Sequence, residues 1–314
     1  MSDDVDGVLI DGDWKHRFVS ANGARFHVAE AGDGPLVILL HGFPQFWWTW
    51  RHQLPALAEA GFRAVAMDLR GVGASDKPPR GYETPYLAAD VAGVIRALGE
   101  STAVVVGHDL GAWVAWSMPA LQPRVTAAVA VLSMGHPLVM RQQLLGRRGV
   151  RSVPRLLAAQ LPLLPERALR SHDAAVTVMA AGRAPGNPLT EDEQDRYRRA
   201  AAVPFVSHTS LEPLRWAARS LGPGSLGPLG RRDRRRFTRA LAQPIHQPVL
   251  QLSGALDPWL GPAAAAASSR WAVGPLHQVV VPGAGHYLPD EAPLDVTEAL
   301  LEWLAATTSS RSVG

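Results

Sequence analysis

One segment near residue 109 constrains the fold more than any other. Residues 104–106 form an apolar run typical of a buried strand, and Gly-His-Asp-Leu-Gly-Ala follows at once. A strand that turns sharply into a helix, with small residues two before and two after a central acid, is the pattern of a nucleophile elbow with Asp109 at its tip. Gly107 and Gly111 fit this interpretation, because such a turn strains the backbone and leaves no room for Cβ atoms. Taken alone, the segment is also compatible with an ordinary glycine-rich turn.

The surrounding sequence predicts an α/β fold. From about residue 17 to residue 131, short β-rich runs alternate with longer helical stretches, which favours a mostly parallel sheet with helices on both faces. Asn22-Gly23 lies between two alternating runs and predicts a tight antiparallel hairpin. Three continuous apolar runs then end in glycine and polar residues: PLVILLHG, FRAVAMDLRG and TAVVVGHD. Buried parallel strands have this character, and functional residues lie at their carboxyl ends.

A helical insertion is expected to interrupt the sheet. The strand pattern lapses between about residues 138 and 246, where the chain is rich in arginine and alanine, and resumes with PVLQLSG and HQVVVPG. Thr190, followed three positions later by Glu193, predicts a helix start. We therefore divide the chain into a first part of the core (1–137), a helical cap (138–246) and a second part of the core (247–314).

Two later segments can complete a catalytic set with Asp109. Asp257 follows the strand that ends in Ser-Gly-Ala-Leu, and His286 follows the next strand within Gly-Ala-Gly-His-Tyr. The order nucleophile, acid, histidine is the one in which the histidine acts as base and the acid fixes its tautomer and orientation. Any one of the 11 histidines would be a weak candidate alone, but the ordered set predicts catalysis.

An oxyanion hole is expected from two backbone amides. In this arrangement one amide follows the nucleophile, and the other comes from a loop after an earlier strand, here His-Gly-Phe-Pro at positions 41–44. The candidates are the amides of Leu110 and Phe43. Pro44 has no amide hydrogen and is expected to orient the loop.

Composition narrows the classes of partner. The net charge is only +3, and the run of arginines at 231–236 is typical of a solvated face, so we expect no nucleic-acid partner. The absence of cysteine excludes disulfides, thiol nucleophiles and zinc-thiolate sites. The acidic start and the absence of a long apolar run predict a cytoplasmic protein without a membrane partner. We expect no metal and no cofactor, and a homodimer is left open.

Five segments together resemble the epoxide hydrolase group of the α/β-hydrolase fold family: HGFPQFWWTWR, DLRGVGASDKP, GHDLGAWVAW, GALDP and GHYLPDE. The resemblance covers most of residues 17–137 and 245–305. It implies an α/β-hydrolase fold with a helical cap over the site, a small hydrophobic epoxide-like substrate and a diol product.

The aspartate itself selects the chemistry. A serine that attacked an epoxide carbon would leave an ether that the site could not cleave, whereas Asp109 leaves an ester whose carbonyl water can attack. A carboxylate is ionised at neutral pH and needs no base for the first step. His286 is then expected to activate water against the ester, while Asp257 supports the imidazolium.

The chain departs from the family in its cap. The resemblance implies cap tyrosines that hydrogen-bond the alkoxide of the opened ring, yet Pro213 and Leu214 occupy the place of one aromatic pair, and the earlier segment at 155–162 has no tyrosine. Tyr197 is the only tyrosine in the cap, and it is one candidate for the ring-opening acid, beside His172 and His208.

Two other functions stay open at this point. A dehalogenase also uses an aspartate and an alkyl-ester intermediate, but Leu110 stands where a halide-binding tryptophan is usual. A family member with altered or lost ring-opening activity is the other alternative. The missing tyrosines favour it, and the intact set of Asp109, Asp257 and His286 argues against it.

Overall fold

The computed structural model of the 314-residue chain describes residues 5–145, 159–171, 173–221, 228–260 and 262–309. Its strands are β1 (Lys15–Ala21), β2 (Ala24–Ala31), β3 (Leu36–Leu40), β4 (Arg63–Met67), β5 (Ala103–His108), β6 (Thr126–Leu132), β7 (Val249–Gly254) and β8 (Leu276–Val281).

The helices of the described residues are α1 (Gln53–Glu59), α2 (Thr84–Ala97), α3 (Leu110–Leu121), α4 (Pro137–Leu145), α5 (Leu164–Leu169), α6 (Ala174–Gly182), α7 (Glu191–Ala202), α8 (Val206–Thr209), α9 (Glu212–Leu221), α10 (Pro228–Leu241), α11 (Pro262–Ser268), α12 (Leu288–Glu291) and α13 (Pro293–Ser309). Short 3₁₀ helices cover Asp6–Val8, Trp47–Trp50 and Ser269–Trp271.

The strands form one eight-stranded sheet in the order β1-β2-β4-β3-β5-β6-β7-β8. Strand β2 pairs antiparallel with β1 and with β4, and every later pair is parallel. When parallel strands are joined through helices, the helices pack on both faces of the sheet and bury its strands. Strands β3, β6 and β7 are indeed buried along their whole length. The predicted α/β-hydrolase architecture is confirmed.

Two local predictions are confirmed in detail. Asn22 and Gly23 both have positive φ, 45° and 73°, at the turn between β1 and β2, as the tight hairpin requires. Thr190 begins α7 with a reciprocal capping box, in which its hydroxyl accepts the amide of Glu193 and the Glu193 carboxylate accepts the amide of Thr190 at 2.8 Å.

The segment between β6 and β7 is helical in its described parts and contains α4 to α10. This matches the predicted cap in character, while the boundaries at 138 and 246 stay a prediction. Arg235 and Arg236 are exposed on α10, while the side chains of residues 231–234 lie outside the described part of the chain, so the solvated face over 231–236 stays a prediction. Within the described ranges, no helix combines the length and the apolar character needed to cross a membrane.

Candidate active site

Asp109 sits in a strained turn between β5 and α3. Its backbone has φ 48° and ψ −112°, outside the regions that side-chain-bearing residues usually adopt. A Cβ at Gly107 would lie 2.2 Å from the carbonyl oxygen of Gly111, and a Cβ at Gly111 would lie 2.2 Å from the carbonyl oxygen of Leu40. The two glycines therefore permit the close approaches that hold the turn, which confirms the predicted reason for them.

Four loops that follow parallel strands meet at the site: the loop after β5, which carries Asp109, and three others. Phe43 comes shortly after β3, Asp257 after β7 and His286 after β8, and the carboxyl ends of parallel strands share one edge of the sheet. His286 Nδ1 donates to Asp257 Oδ2 at 2.9 Å, and His286 Nε2 lies 3.6 Å from Asp109 Oδ1. The structure thus brings together the three residues that the sequence predicted as a set.

Backbone amides fix the Asp257 carboxylate in place. Its other oxygen, Oδ1, accepts the amides of Trp259 and Leu260 at 2.8 and 2.9 Å. Burial raises the pKa of Asp257, but His286 and these amides outweigh burial and lower it. Asp257 is therefore a fixed anion that orients the imidazole.

Asp109 and His286 each stabilise the charged form of the other. Burial would lower the pKa of His286, yet Asp257 and Asp109 overcome burial and raise that pKa to about 10. Burial would likewise raise the pKa of Asp109, but the nearby imidazole lowers it. The resting site is an ion pair of a carboxylate and an imidazolium, flanked by a second carboxylate.

The two oxygens of Asp109 have different surroundings. Oδ2 accepts the amide hydrogen of Phe43 at 2.9 Å, whereas Oδ1 faces His286 across 3.6 Å. Leu110 directly follows Asp109 and begins α3, so its amide belongs to the first turn of that helix. The Phe43–Pro44 peptide is cis. Oδ2 is therefore bound to the loop that carries Phe43, whereas Oδ1 faces the imidazole.

The loop that carries His286 is bonded on every side. The amides of Gly285 and Tyr287, which flank it, donate to the Glu291 carboxylate at 2.9 and 2.8 Å. The amide of His286 donates to the carbonyl of Gly182 in the cap at 2.8 Å, and its carbonyl oxygen lies 2.7 Å from His108 Nε2. Core and cap residues therefore fix this loop jointly.

Tyr197 lies in the interface between core and cap. It is fully buried, and its hydroxyl donates to Asp290 Oδ2 at 2.8 Å. Arg51 Nη1 contacts the other oxygen of Asp290 at 2.5 Å, and Arg51 Nη2 contacts Glu193 of α7 at 2.7 Å. Because the phenolic hydrogen is already donated away from Asp109, this placement argues against the predicted role of Tyr197 as the ring-opening acid.

Of the other two cap candidates, only His208 is described. His208 Nδ1 lies 3.2 Å from Glu166, and the His208 side chain is 53% exposed. His172 lies outside the described residues. Tyr287 is a core phenol next to His286, and its hydroxyl donates to the carbonyl of Phe43 at 3.3 Å.

A pocket lies between the core and the cap and reaches the site at Phe43 and Leu110. Its lining includes Phe43, Pro44, Leu69, Val72, Leu87 and Leu110 from the core and Leu169, Ala200, Val206, Ser207, Ser210 and Pro213 from the cap. The lining is mainly apolar, and two serines, Ser207 and Ser210, belong to its cap side. Pro213, at one of the two positions where an aromatic pair was expected, is part of it.

Sequence reasoning missed four residues near the site. Asp290 and Glu291 stand in the quoted segment GHYLPDE but gave no signal of their own, because their contacts with the cap, to Tyr197 and Ala184, span 93 and 107 residues. Ser207 and Ser210 carry no motif, although their spacing of three places both on one side of a helical turn. In the described part of the chain, no group of three His, Cys, Asp or Glu residues could hold a metal ion.

Comparisons with known proteins identify the family of the chain. The model of a family described as having the alpha/beta hydrolase fold matches residues 35–293. Epoxide hydrolase A of Mycobacterium tuberculosis is 34% identical to this chain, over 92% of this chain and 96% of its own length. The AB hydrolase superfamily protein YfhM of Bacillus subtilis is 32% identical over 92% and 98%.

A solved epoxide hydrolase from an endophytic Streptomyces is 30% identical and superposes with a TM-score of 0.79 over 95% of this chain and 97% of its own. Epoxide hydrolase A from Mycobacterium thermoresistibile, at 28% identity, has a TM-score of 0.74 over 93% and 98%. The chain therefore belongs to the epoxide hydrolase group of the α/β-hydrolase fold family.

Proposed function

We propose that this protein hydrolyses a small hydrophobic epoxide to a diol through an ester on Asp109. The proposal is supported mainly by the different surroundings of the two carboxylate oxygens of Asp109. Oδ2 accepts the Phe43 amide, and Oδ1 faces His286, whose ring is bonded to Asp257. This arrangement provides a nucleophile, a base and an oxyanion donor. The similarity to epoxide hydrolases supports the same substrate class.

In the first step Asp109 Oδ1 attacks a ring carbon, and the bond between that carbon and the ring oxygen breaks. The bonding electrons pass to the oxygen, which becomes an alkoxide and takes up a proton from solvent. The lowered pKa of Asp109 keeps the nucleophile ionised without help from a base.

The second step begins from a changed electrostatic state. Once Asp109 is an ester its negative charge is gone, so one of the groups that raise the pKa of His286 is lost and this pKa falls. His286 then releases its proton to solvent, and the neutral imidazole accepts a proton from water while the resulting hydroxide attacks Cγ of Asp109. The developing charge falls on Oδ2, next to the Phe43 amide and the start of α3. Collapse breaks the ester bond, releases the diol and restores the carboxylate.

We infer that cap serines, rather than Tyr197, face the ring oxygen. Ser207 and Ser210 line the pocket, and Arg170 Nε donates to Ser207 Oγ at 3.2 Å. A hydroxyl that accepts from a guanidinium is polarised and is a stronger donor of its own hydrogen. The pair supplies hydrogen-bond donors on the side of the pocket where the expected phenols are missing.

Two variants test which side chain donates a hydrogen bond to the ring oxygen. Ser207→Ala/Ser210→Ala should slow ester formation by about 100-fold to 1000-fold, because a preorganised donor to the developing charge is removed. Tyr197→Phe is the matched control: it should lose about 1.5 to 3 kcal/mol of unfolding free energy through the lost bond to Asp290, with ester formation nearly unchanged. Rapid-quench kinetics and urea unfolding measure the two effects. A fast double serine variant together with a slow Tyr197→Phe would reinstate the tyrosine as the acid.

Epoxides rather than organohalides are the expected substrates, because the Leu110 side chain offers no donor to a leaving halide. Parallel assays with terminal epoxides, haloalkanes and haloacids should give diol formation at least 100-fold faster than halide release. Asp109→Ala provides the background rate for both reactions. Halide release that is faster than diol formation, and that depends on Asp109, would replace this proposal with a dehalogenase.

A further inference from the structure

We propose that Glu291 is a positioning residue for His286, an inference that rests on the proposed hydrolysis of an Asp109 ester. Glu291 closes the short helix α12, five residues after the histidine. Its Oε2 accepts the amide of Gly285 at 2.9 Å, and its Oε1 accepts the amide of Tyr287 at 2.8 Å. One carboxylate therefore holds the backbone immediately before and immediately after the catalytic histidine.

The same carboxylate also ties this loop to the cap. Oε2 accepts a second amide, that of Ala184, at 2.7 Å, and the carbonyl oxygen of Glu291 accepts from the Asn187 side chain at 3.1 Å. A Cβ at Gly285 would lie 2.5 Å from the amide nitrogen of Ala184, so the two segments are in close contact. Three backbone amides from two segments thus converge on one side chain.

This convergence matters because Glu291 joins the two amides that flank His286 and so fixes the backbone from which the imidazole projects. It acts together with the Asp257 bond to Nδ1 and the bonds of the His286 amide and carbonyl oxygen. His286 Nε2 must stand close to Asp109 to direct water onto the ester, and a displacement of about 1 Å can cost about 100-fold in rate. Three amide donors to one carboxylate form charge-assisted hydrogen bonds, which are stronger than neutral ones. Glu291 does not itself contact the reacting atoms, and it acts through His286.

The structure predicts an effect on one step only. Attack by Asp109 needs no base, so ester formation should tolerate a displaced imidazole, whereas ester hydrolysis should not. A residue that merely stabilised the fold would lower the amount of active enzyme and leave the rate constants of both steps alone.

The test uses the full chain, styrene oxide as the probe, and rapid quench with intact mass to follow the ester. Glu291→Gln keeps the size of the side chain, but its amide nitrogen cannot accept a hydrogen bond. We expect ester formation within about threefold of wild type and ester hydrolysis slowed at least 10-fold, so that the ester accumulates during turnover. Asn187→Ala, which removes a neighbouring bond and leaves the carboxylate in place, should match wild type in both steps.

Two further measurements keep the test decisive. The amplitude of ester formation counts folded active sites, so partial misfolding of Glu291→Gln does not obscure its rate constants, and Glu291→Asp replaces it if no folded protein is obtained. In a His286→Gln background, Glu291→Gln should not slow hydrolysis further, because its effect passes through the missing imidazole.

The outcomes separate this inference from the proposed function. Ester that forms in Glu291→Gln and is hydrolysed within twofold of the wild-type rate would overturn the role of Glu291 alone. A further slowing in the His286→Gln background would show that Glu291 acts by another route. Turnover by wild type with no ester on Asp109, in either wild type or His286→Gln, would overturn the proposed function and this inference together.

Discussion

His286→Gln should convert the enzyme into a covalent trap. Ester formation uses the carboxylate of Asp109 and needs no base, but hydrolysis needs the imidazole that lies 3.6 Å from Oδ1. We expect steady-state diol formation to fall by about 1000-fold or more, and the protein to gain the mass of one epoxide per chain. Incubation with styrene oxide followed by intact mass measurement tests this, and peptide mapping should place the added mass on the peptide that contains Asp109.

The control is Asp109→Ala, which should neither form the adduct nor turn over substrate. The trap should also depend on pH in a defined direction. In wild type burial raises the pKa of Asp109 and the imidazolium is the strongest of the groups that lower it, so removal of the imidazolium raises this pKa even though His108 and the Phe43 amide still lower it. Ester formation in His286→Gln should therefore decline at a higher pH than in wild type as the solution is acidified. Turnover by Asp109→Ala at the wild-type rate, with no adduct in His286→Gln, would refute the mechanism.

Asp257→Asn should give the second large effect. Asp257 is the first of the groups that raise the pKa of His286 against burial, and the Nδ1 hydrogen bond fixes the ring. An asparagine carries no charge to support the imidazolium, so we expect ester hydrolysis to fall by about 1000-fold to 10000-fold. Ester formation should be much less affected, so the ester should accumulate here as well. Single-turnover measurements separate the two steps.

The pH profile distinguishes this cause from simple damage to the site. A general base is active when neutral, so hydrolysis falls as the pH drops below the pKa of His286 in the ester state. With Asp257 replaced, that pKa is lower, and the acidic decline should move to lower pH while the plateau falls. An unchanged plateau in Asp257→Asn would mean that Asp257 is not the partner of the catalytic base.

The sequence was sufficient for those parts of the site that depend on local patterns and on sheet topology. Asp109, Asp257 and His286 each follow an apolar strand, and parallel strands bring their ends to one edge whatever the distance along the chain. The hairpin at Asn22 and the helix start at Thr190 are encoded within a few residues. These features were predictable because their causes are short-range or follow from the order of strands.

The cap contacts were not predictable in this way. Tyr197 was correctly placed in the cap, but its hydroxyl meets Asp290, 93 residues away, and no periodicity reveals that contact. Glu291 binds Ala184 across 107 residues, and Ser207 lines a pocket whose other wall belongs to the core. Such pairs depend on how the cap sits on the sheet, which is a property of the folded packing and not of any local pattern.

The strained turn at Asp109 has a consequence for the evolution of new chemistry. The strain lies in the backbone, and it is accommodated by the missing Cβ atoms of Gly107 and Gly111 and not by the carboxylate itself. Another side chain could therefore occupy position 109 on the same backbone turn, facing the same histidine. A change from one acid to one hydroxyl at position 109 would exchange attack on saturated carbon for attack on acyl groups, so the scaffold can diversify through this single position.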